Sequence, residues 1–304
     1  MLSPKELRKR RSASRRRRAR RRAGIAASIA IVIAVVVAVS AVAGQRSSRH
    51  RQTAAAAPTA GPRQPQAVLR PVRPAAPRAR RVNEAAFGYI PYVELAGKRR
   101  REVALTFDDG PSAYTPQVLR ILRRMRAAAT FFLIGRFAQT YPQLVAKEAA
   151  EGFEVGDHTE THPFLSALSP GAQETQIVQA AEAIHRGGAP YPRLMRPPYG
   201  AFDHSTLEIL RARRMVMVLW SADTKDYSRP GVARIIYTAV SGAQRGAIVL
   251  MHDGGGDRSQ TVAALPRIII RLRQRGFRLV TIARLLREDP PPANQPPPAP
   301  LSGR

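Results

Sequence analysis

Short apolar runs alternate with longer amphipathic segments between residues 87 and 288. The runs are rich in β-branched and aromatic residues, as buried strands are, and the segments between them show helical spacing. Predicted strands cover Val103–Phe107, Ala129–Ile134, Phe153–Gly156, Leu194–Arg196, Met215–Trp220, Ala247–Met251 and Arg278–Ile282. Predicted helices lie near 116–126, 137–150, 173–186, 204–213, 230–241, 260–275 and 281–287. Strand–helix repeats predict parallel strands joined by helices, so we expect an α/β fold, a distorted (β/α) barrel of about seven parallel strands.

A second hydrophobic pattern lies near the start of the chain. Ala23–Gln45 holds no charged residue and is long enough to cross a bilayer as a helix. Residues 1–22 carry 12 Lys and Arg, and such basic ends stay in the cytoplasm. We therefore expect a basic cytoplasmic segment at 1–22, a transmembrane signal-anchor at 23–45 that binds the chain to the membrane, and a domain outside the cytoplasm. The alternative is a signal peptide cleaved after Ala43, which would make the domain secreted.

Two further segments lack the apolar residues that a core needs. Residues 46–86 are rich in Pro, Ala, Arg and Gln, and residues 289–304 contain seven prolines. Both compositions predict disorder. The expected organisation is thus a linker at 46–86, a globular domain at 87–288 and a Pro-rich tail at 289–304.

Charge and cysteine content exclude several kinds of site. The net charge is +29, but residues 1–100 hold 24 of the 50 Lys and Arg and only 3 of the 21 Asp and Glu. No aromatic residue precedes Phe87, whereas single-strand nucleic-acid binders interleave aromatics with basic residues, so no nucleic-acid partner is predicted. The chain has no cysteine, so His and carboxylate side chains must hold any transition metal. The oligomeric state is not predicted.

Ionisable residues gather at the ends of the predicted strands. They are Asp108, Asp109, His158, Arg196, Asp223 and His252. The carboxyl ends of parallel barrel strands build one rim, and active sites lie there. We therefore expect these side chains to lie close together.

Asp108 and Asp109 are adjacent, so on a regular strand they would point to opposite faces. Gly110-Pro111 indicates that the strand ends there, which would let one carboxylate bind a metal while the other accepts a proton. An ordinary turn is the alternative. His158 and His162 are spaced four apart, and two imidazoles with one carboxylate leave coordination positions open for water and substrate.

Other residues fit supporting roles. A carboxylate such as Asp223 could raise the pKa of His252 and orient it as a general acid. Arg196 could keep a catalytic carboxylate ionised, the alternative being a surface Arg on a rigid loop. Gly254-Gly255-Gly256 lacks the spacing of a phosphate-binding loop and is expected to be a flexible rim loop.

Five motifs occur in the order TFDDGP, HTETHP, RPPYG, DTKDY and LMH, within roughly residues 100–288. In this the chain resembles polysaccharide deacetylases of carbohydrate esterase family 4, which share the chitooligosaccharide deacetylase homology domain. The resemblance implies a distorted (β/α) barrel. It also implies that Asp109, His158 and His162 bind one divalent metal ion, with zinc first and cobalt, manganese or nickel as alternatives.

The resemblance further implies roles for five residues. Asp108 matches the general base and Arg196 the residue that holds it. The backbone N–H of Tyr199 matches an oxyanion donor, Asp223 the carboxylate that orients the general acid, and His252 that acid.

The activity implied is hydrolysis of N-acetyl groups on the amino sugars of an extracellular glycan, peptidoglycan or a chitin-like oligosaccharide. An O-acetyl esterase acting on xylan or another acetylated polysaccharide is one alternative, and an inactive cell-wall-binding module is another. Tyr227 occupies a position where the family commonly has Trp, which leaves the substrate preference open.

Overall fold

The computed structural model describes residues 91–292. The predicted basic segment, transmembrane segment and linker lie outside these residues, as does the tail from residue 293. Within residues 91–292, none of the helices combines the length and apolar character that crossing a membrane requires.

A single sheet of parallel strands forms the centre of the described domain. Its strands are β1 Tyr92–Val93, β2 Glu102–Gly110, β3 Thr130–Leu133, β4 Glu154–Asp157, β5 Leu194–Met195, β6 Val216–Val218, β7 Ala222–Asp223, β8 Ala247–His252 and β9 Arg278–Val280. The order across the sheet is β1-β6-β5-β4-β3-β2-β8-β7, and β9 pairs with the start of β2. The sheet curls into a half-barrel, which confirms the predicted parallel α/β architecture.

Two strands have no counterpart in the prediction. β1 and β7 are two residues long each, a length at which a hydrophobic period is a weak signal, and of the two-residue strands only β5 is predicted. They form the two ends of the strand order.

Helices connect the strands. They are α1 Thr115–Arg124, α2 Gly135–Thr140, α3 Pro142–Ala150, α4 Pro170–Arg186, α5 His204–Ala212, α6 Val232–Ser241, α7 Ser259–Gln274 and α8 Ile282–Glu288. The single helix predicted near 137–150 is divided in two. Pro142 lacks the N–H that would continue α2 but suits the first position of a new helix, and Tyr141 between them is not helical.

Strand β2 is buried on both faces. Val103, Leu105 and Phe107 pack into a core cluster shared with residues of α1 and α7, whereas Ala104 packs into a second cluster with Phe132. All five of these side chains are fully buried. A strand covered on both faces is rigid, so it holds the residues at its carboxyl end in fixed positions.

The domain extends beyond its predicted end. Asp289 was assigned to the tail, but its carboxylate is buried and accepts hydrogen bonds from Arg99 Nε at 3.0 Å and from the backbone N–H of Arg100 at 2.7 Å. A buried carboxylate needs such donors. Asp289 is therefore part of the folded domain.

We predict that Glu154→Ala destabilises the fold. The Glu154 carboxylate accepts from Thr130 Oγ1 at 2.8 Å and from the Ala283 N–H, in the first turn of α8, at 3.1 Å. Removing it leaves these donors unpaired, at a cost of about 1–3 kcal/mol. Urea unfolding measures the loss. Glu208, which is exposed and pairs with His204, serves as the control. Glu208→Ala should cost less than about 1 kcal/mol. Equal losses for the two variants would contradict the role given to Glu154.

Candidate functional site

The predicted ionisable residues lie at the carboxyl-terminal ends of the strands. Asp108 and Asp109 lie near the end of β2, His252 ends β8, and His158 directly follows β4. Arg196 directly follows β5 and Asp223 ends β7. Because all these strands are parallel and β7, β8, β2, β3, β4 and β5 are consecutive neighbours, the residues share the carboxyl-terminal rim.

A bulge lets both carboxylates of β2 serve the same site. The pairing of β2 with β3 shifts between Asp108 and Gly110, and Asp109 adopts a left-handed backbone with φ of 70°. Asp108 Oδ2 and Asp109 Oδ1 consequently lie 3.8 Å and 3.5 Å from the same atom, Nε2 of His158. A regular strand would have separated them.

The two histidines are joined by a strained loop. Thr159 and His162 have φ of 66° and 65°, which is uncommon for residues with a side chain. The loop is held by two hydrogen bonds. The backbone N–H of Gly135 donates to the carbonyl oxygen of Thr159 at 3.0 Å, and the backbone N–H of His162 donates to the Thr159 side-chain Oγ1 at 3.1 Å. As a result the imidazole centroids lie 4.8 Å apart.

Three potential ligand atoms converge at this point. Oδ1 of Asp109 lies 3.1 Å from Nε2 of His162 and 3.5 Å from Nε2 of His158, and the three residues offer atoms that all lie within 4.8 Å of one another. Separations of this kind suit ligands that share an ion at about 2.1 Å. Asp109 Oδ1 is buried without a hydrogen-bond partner, and a buried carboxylate oxygen without a donor is costly.

Hydrogen bonds orient the two imidazoles. Nδ1 of His158 lies 2.7 Å from the carbonyl oxygen of Arg196. A carbonyl only accepts, so Nδ1 carries the proton and a neutral His158 turns the lone pair of Nε2 toward Asp109. Nδ1 of His162 lies 3.1 Å from the hydroxyl of Tyr199. The residues therefore fit a divalent cation, which would balance facing lone pairs and the carboxylate charge.

The pKa of the Asp109 carboxyl group also fits a metal ligand. Burial raises the pKa of Asp109, but in the absence of a cation a proton carried on the facing Nε2 atoms of His158 and His162 would outweigh burial and hold that pKa well below its usual value. Asp109 is thus an anion at neutral pH, as a metal ligand must be.

Arg196 holds the second carboxylate. The fully buried guanidinium donates from Nη1 to Asp108 Oδ1 at 2.7 Å and to Thr106 Oγ1 at 2.8 Å. Its Nε and Nη2 donate to the carbonyls of Val218 and Leu219. The Arg196 side chain is therefore fixed in the core and is not a surface side chain. Asp108 Oδ2 remains directed toward His158.

The expected contact between Asp223 and His252 is wrong. Asp226 takes that place, since its Oδ1 lies 2.7 Å from His252 Nδ1 and its Oδ2 accepts from the His252 N–H at 2.8 Å. Thr261 Oγ1 also donates to Asp226. Asp223 instead accepts from the backbone of Lys225. Both aspartates belong to DTKDY, and only the backbone course of the short turn Asp226–Ser228 decides which one reaches the imidazole.

Asp226 changes the acidity of His252. Burial lowers the pKa of His252, but the hydrogen bond and charge of Asp226, with smaller contributions from Asp109 and Asp108, raise it to about 9. His252 is therefore a cation at neutral pH, with Nδ1 committed to Asp226.

In the glycine-rich segment after His252, expected to be a flexible rim loop, Gly254 is buried against β2 while Gly255 and Gly256 are exposed. A Cβ on Gly254 would lie 1.9 Å from the carbonyl oxygen of Asp109, and one on Gly255, whose φ is 72°, would lie 2.3 Å from Asp109 Oδ2. Buried Arg258 donates to the carbonyls of both glycines. These glycines therefore allow a close approach to the candidate ligand.

Sequence reasoning also missed Asp253. Its carboxyl group is buried, accepts a hydrogen bond from Thr115 Oγ1 and lies against Gly110. Burial raises its pKa to about 7, and the charges of Asp109 and Asp108 add to that effect. Nothing in the sequence distinguishes this aspartate from a loop residue, because only the fold turns it inward.

The chain is similar to known deacetylases in sequence and in fold. Residues 96–218 match the family model described as polysaccharide deacetylase. A peptidoglycan-N-acetylglucosamine deacetylase of Bacillus cereus is 43% identical over 188 residues, which cover 61% of this chain and 88% of the relative. A chitooligosaccharide deacetylase of Bradyrhizobium is 40% identical, covering 64% of this chain and 94% of the relative.

A solved structure is similar as well. The crystal structure of a peptidoglycan N-acetylglucosamine deacetylase bound to an N-hydroxybenzamide compound superimposes with a TM-score of 0.63 at 33% identity, covering 64% of this chain and 92% of that one. The family-model match spans the first three motifs, and the relatives and the fold agree with it. The chain belongs to the polysaccharide deacetylase family of enzymes.

Proposed function

We propose that this chain is a metal-dependent hydrolase that removes N-acetyl groups from the amino sugars of a glycan outside the cytoplasm, with peptidoglycan or a chitin-like oligosaccharide as substrate. The observation that carries the proposal is the meeting of Asp109, His158 and His162 around the unpaired Asp109 Oδ1. The names of the related deacetylases support the substrate class.

These three residues would hold one divalent cation, zinc first and cobalt, manganese or nickel as alternatives. A cation of this kind polarises a carbonyl and lowers the pKa of water from 15.7 to about 7. The protein contributes the position of the ligands, because the bulge at Asp109 and the loop from His158 to His162 fix them before any ion binds.

Asp108 is proposed as the general base. Arg196 Nη1 occupies its Oδ1 in an ion pair at 2.7 Å. Its Oδ2, 3.8 Å from His158 Nε2, faces the proposed metal site. Oδ2 is therefore the atom that would accept a proton from an attacking water.

His252 is proposed as the general acid. Asp226 fixes its Nδ1, so the proton available to a leaving amine lies on Nε2. The Tyr199 N–H is proposed to donate to the oxyanion; the loss of one such donor typically costs about 100- to 1000-fold in rate. The buried Arg196 and Asp226 that support the base and acid favour a working enzyme over an inactive wall-binding module.

The location is also part of the proposal. Residues 23–45 would anchor the chain in the membrane and place the catalytic domain outside the cytoplasm, where cell-wall glycan is the nearest polymer. Cleavage after Ala43 would instead release the domain.

Acetate release tests the function directly. The full-length protein, loaded with zinc, should release acetate from N-acetylated chitooligosaccharides or peptidoglycan fragments, and a chelator should stop it. Asp108→Asn should lower kcat by at least about 100-fold while zinc stays bound. Release only from acetylated xylan would identify an O-acetyl esterase, and unchanged activity of Asp108→Asn would refute the base.

Metal content tests the ligands without relying on turnover. We expect His158→Ala to lower zinc affinity at least 100-fold, because it removes one of three protein ligands. His204→Ala is the matched control, since His204 is exposed and pairs with Glu208. Equilibrium dialysis against buffered zinc gives both affinities, and equal affinities would contradict the assignment.

The dependence of the rate on pH tests Asp226. His252 must be protonated to donate, so the rate falls as pH rises through its pKa, about 9 in the metal-free protein. Asp226→Asn removes the charge that raises this pKa and should move the alkaline limb of kcat/KM to lower pH by at least about 1 unit. Asp223→Asn should move it less. A larger shift for Asp223→Asn would restore the assignment made from the sequence.

A further inference from the structure

Two exposed aromatic side chains lie beside the candidate metal ligands. The rings of Phe164 and Tyr199 stack with centroids 4.0 Å apart and an angle of 13° between their planes. Tyr199 also contacts His162, and the centroids of these two rings lie 4.6 Å apart. The stack is therefore contiguous with the site that Asp109, His158 and His162 form.

The pair remains open to solvent despite the stacking. Phe164 is 44% exposed and Tyr199 is 47% exposed. Because each ring covers one face of the other, the exposed area lies on the outer faces and edges. Leaving this apolar area in water forgoes the stabilisation that burial would give, which is typical of a surface that binds a ligand.

The backbone holds both rings in place. Phe164 lies between Pro163, which restricts the chain, and Leu165, which is fully buried in a core cluster with Ile177. Tyr199 has a left-handed backbone with φ of 60°, and its hydroxyl is bound to His162 Nδ1. A rigid surface loses little entropy when a ligand binds.

We propose that the Phe164–Tyr199 stack is a sugar-binding subsite that takes the ring of a pyranose next to the sugar that is deacetylated. The inference rests on the proposed function, because it assigns the occupant from the glycan expected at the metal. The apolar C–H face of a pyranose matches the electron-rich face of an aromatic ring in shape and polarity. Because Tyr199 contacts the proposed ligand His162, a sugar bound to the stack would be the neighbour of the sugar whose acetyl group lies at the metal.

The subsite predicts a preference for chains over single sugars. A lone N-acetylglucosamine placed at the metal would contact Tyr199 but leave the outer face of Phe164 uncovered, whereas a β-1,4-linked pentamer would cover Phe164 as well. Phe164 would thus contribute to KM for oligosaccharides and not to kcat, since it touches no reacting atom.

Substitution of Phe164 tests the subsite in the full-length, zinc-loaded protein. Phe164→Ala should raise KM for the pentamer about tenfold, equivalent to about 1.4 kcal/mol. Its kcat, its KM for N-acetylglucosamine and its zinc affinity should change less than twofold. Phe164→Trp should restore the pentamer KM. Tyr237→Ala is the control, since Tyr237 is 61% exposed and its ring contact is with Arg234.

Binding separates this inference from the proposed function. Calorimetric titration of the pentamer into Asp108→Asn and into Asp108→Asn/Phe164→Ala should give a Kd about tenfold weaker for the second, even if the wild-type protein released no acetate. Equal Kd values, or a loss that is the same for monomer and pentamer, would overturn the subsite. Acetate release together with equal Kd values would support the deacetylase activity and refute only the Phe164–Tyr199 subsite.

Discussion

The rim of this domain depends on lone pairs that face one another in a buried space. Oδ1 of Asp109 has no hydrogen-bond partner, and the Nε2 atoms of His158 and His162 lie 3.5 Å and 3.1 Å from it. The Arg196 carbonyl fixes the proton of His158 on Nδ1, so Nε2 of a neutral ring cannot satisfy that oxygen. A divalent cation resolves the conflict, because it attracts all three atoms together.

Arg196 joins the two halves of the proposed chemistry. Its carbonyl orients the ligand His158, and its guanidinium holds the base Asp108. Because this side chain is fully buried and bound to the carbonyls of Val218 and Leu219, it cannot move without disturbing the core. The geometry of ligand and base is thus set by the same packing that stabilises β2. His252, at the end of the neighbouring strand β8, pairs instead with Asp226 in the turn after β7.

Much of this arrangement follows from sequence, because apolar runs mark seven of the nine described strands and parallel strands bring their carboxyl ends together. The hydrophobic period does not register the two-residue β7, and it cannot distinguish Asp226 from Asp223, since a three-residue difference in a loop is decided by the turn. The bulge that directs Asp109 beside Asp108 depends on contacts with Gly254 and Gly255, which are distant in sequence. The stacking of Phe164 on Tyr199 likewise arises only when two separate loops meet.

The most direct test is anomalous diffraction from crystals of the zinc-loaded protein, recorded at energies on both sides of the zinc absorption edge. We expect one strong zinc peak about 2.0–2.2 Å from Oδ1 of Asp109 and from Nε2 of His158 and His162. A zinc peak elsewhere in the domain, or these three side chains directed away from one another, would contradict this expectation.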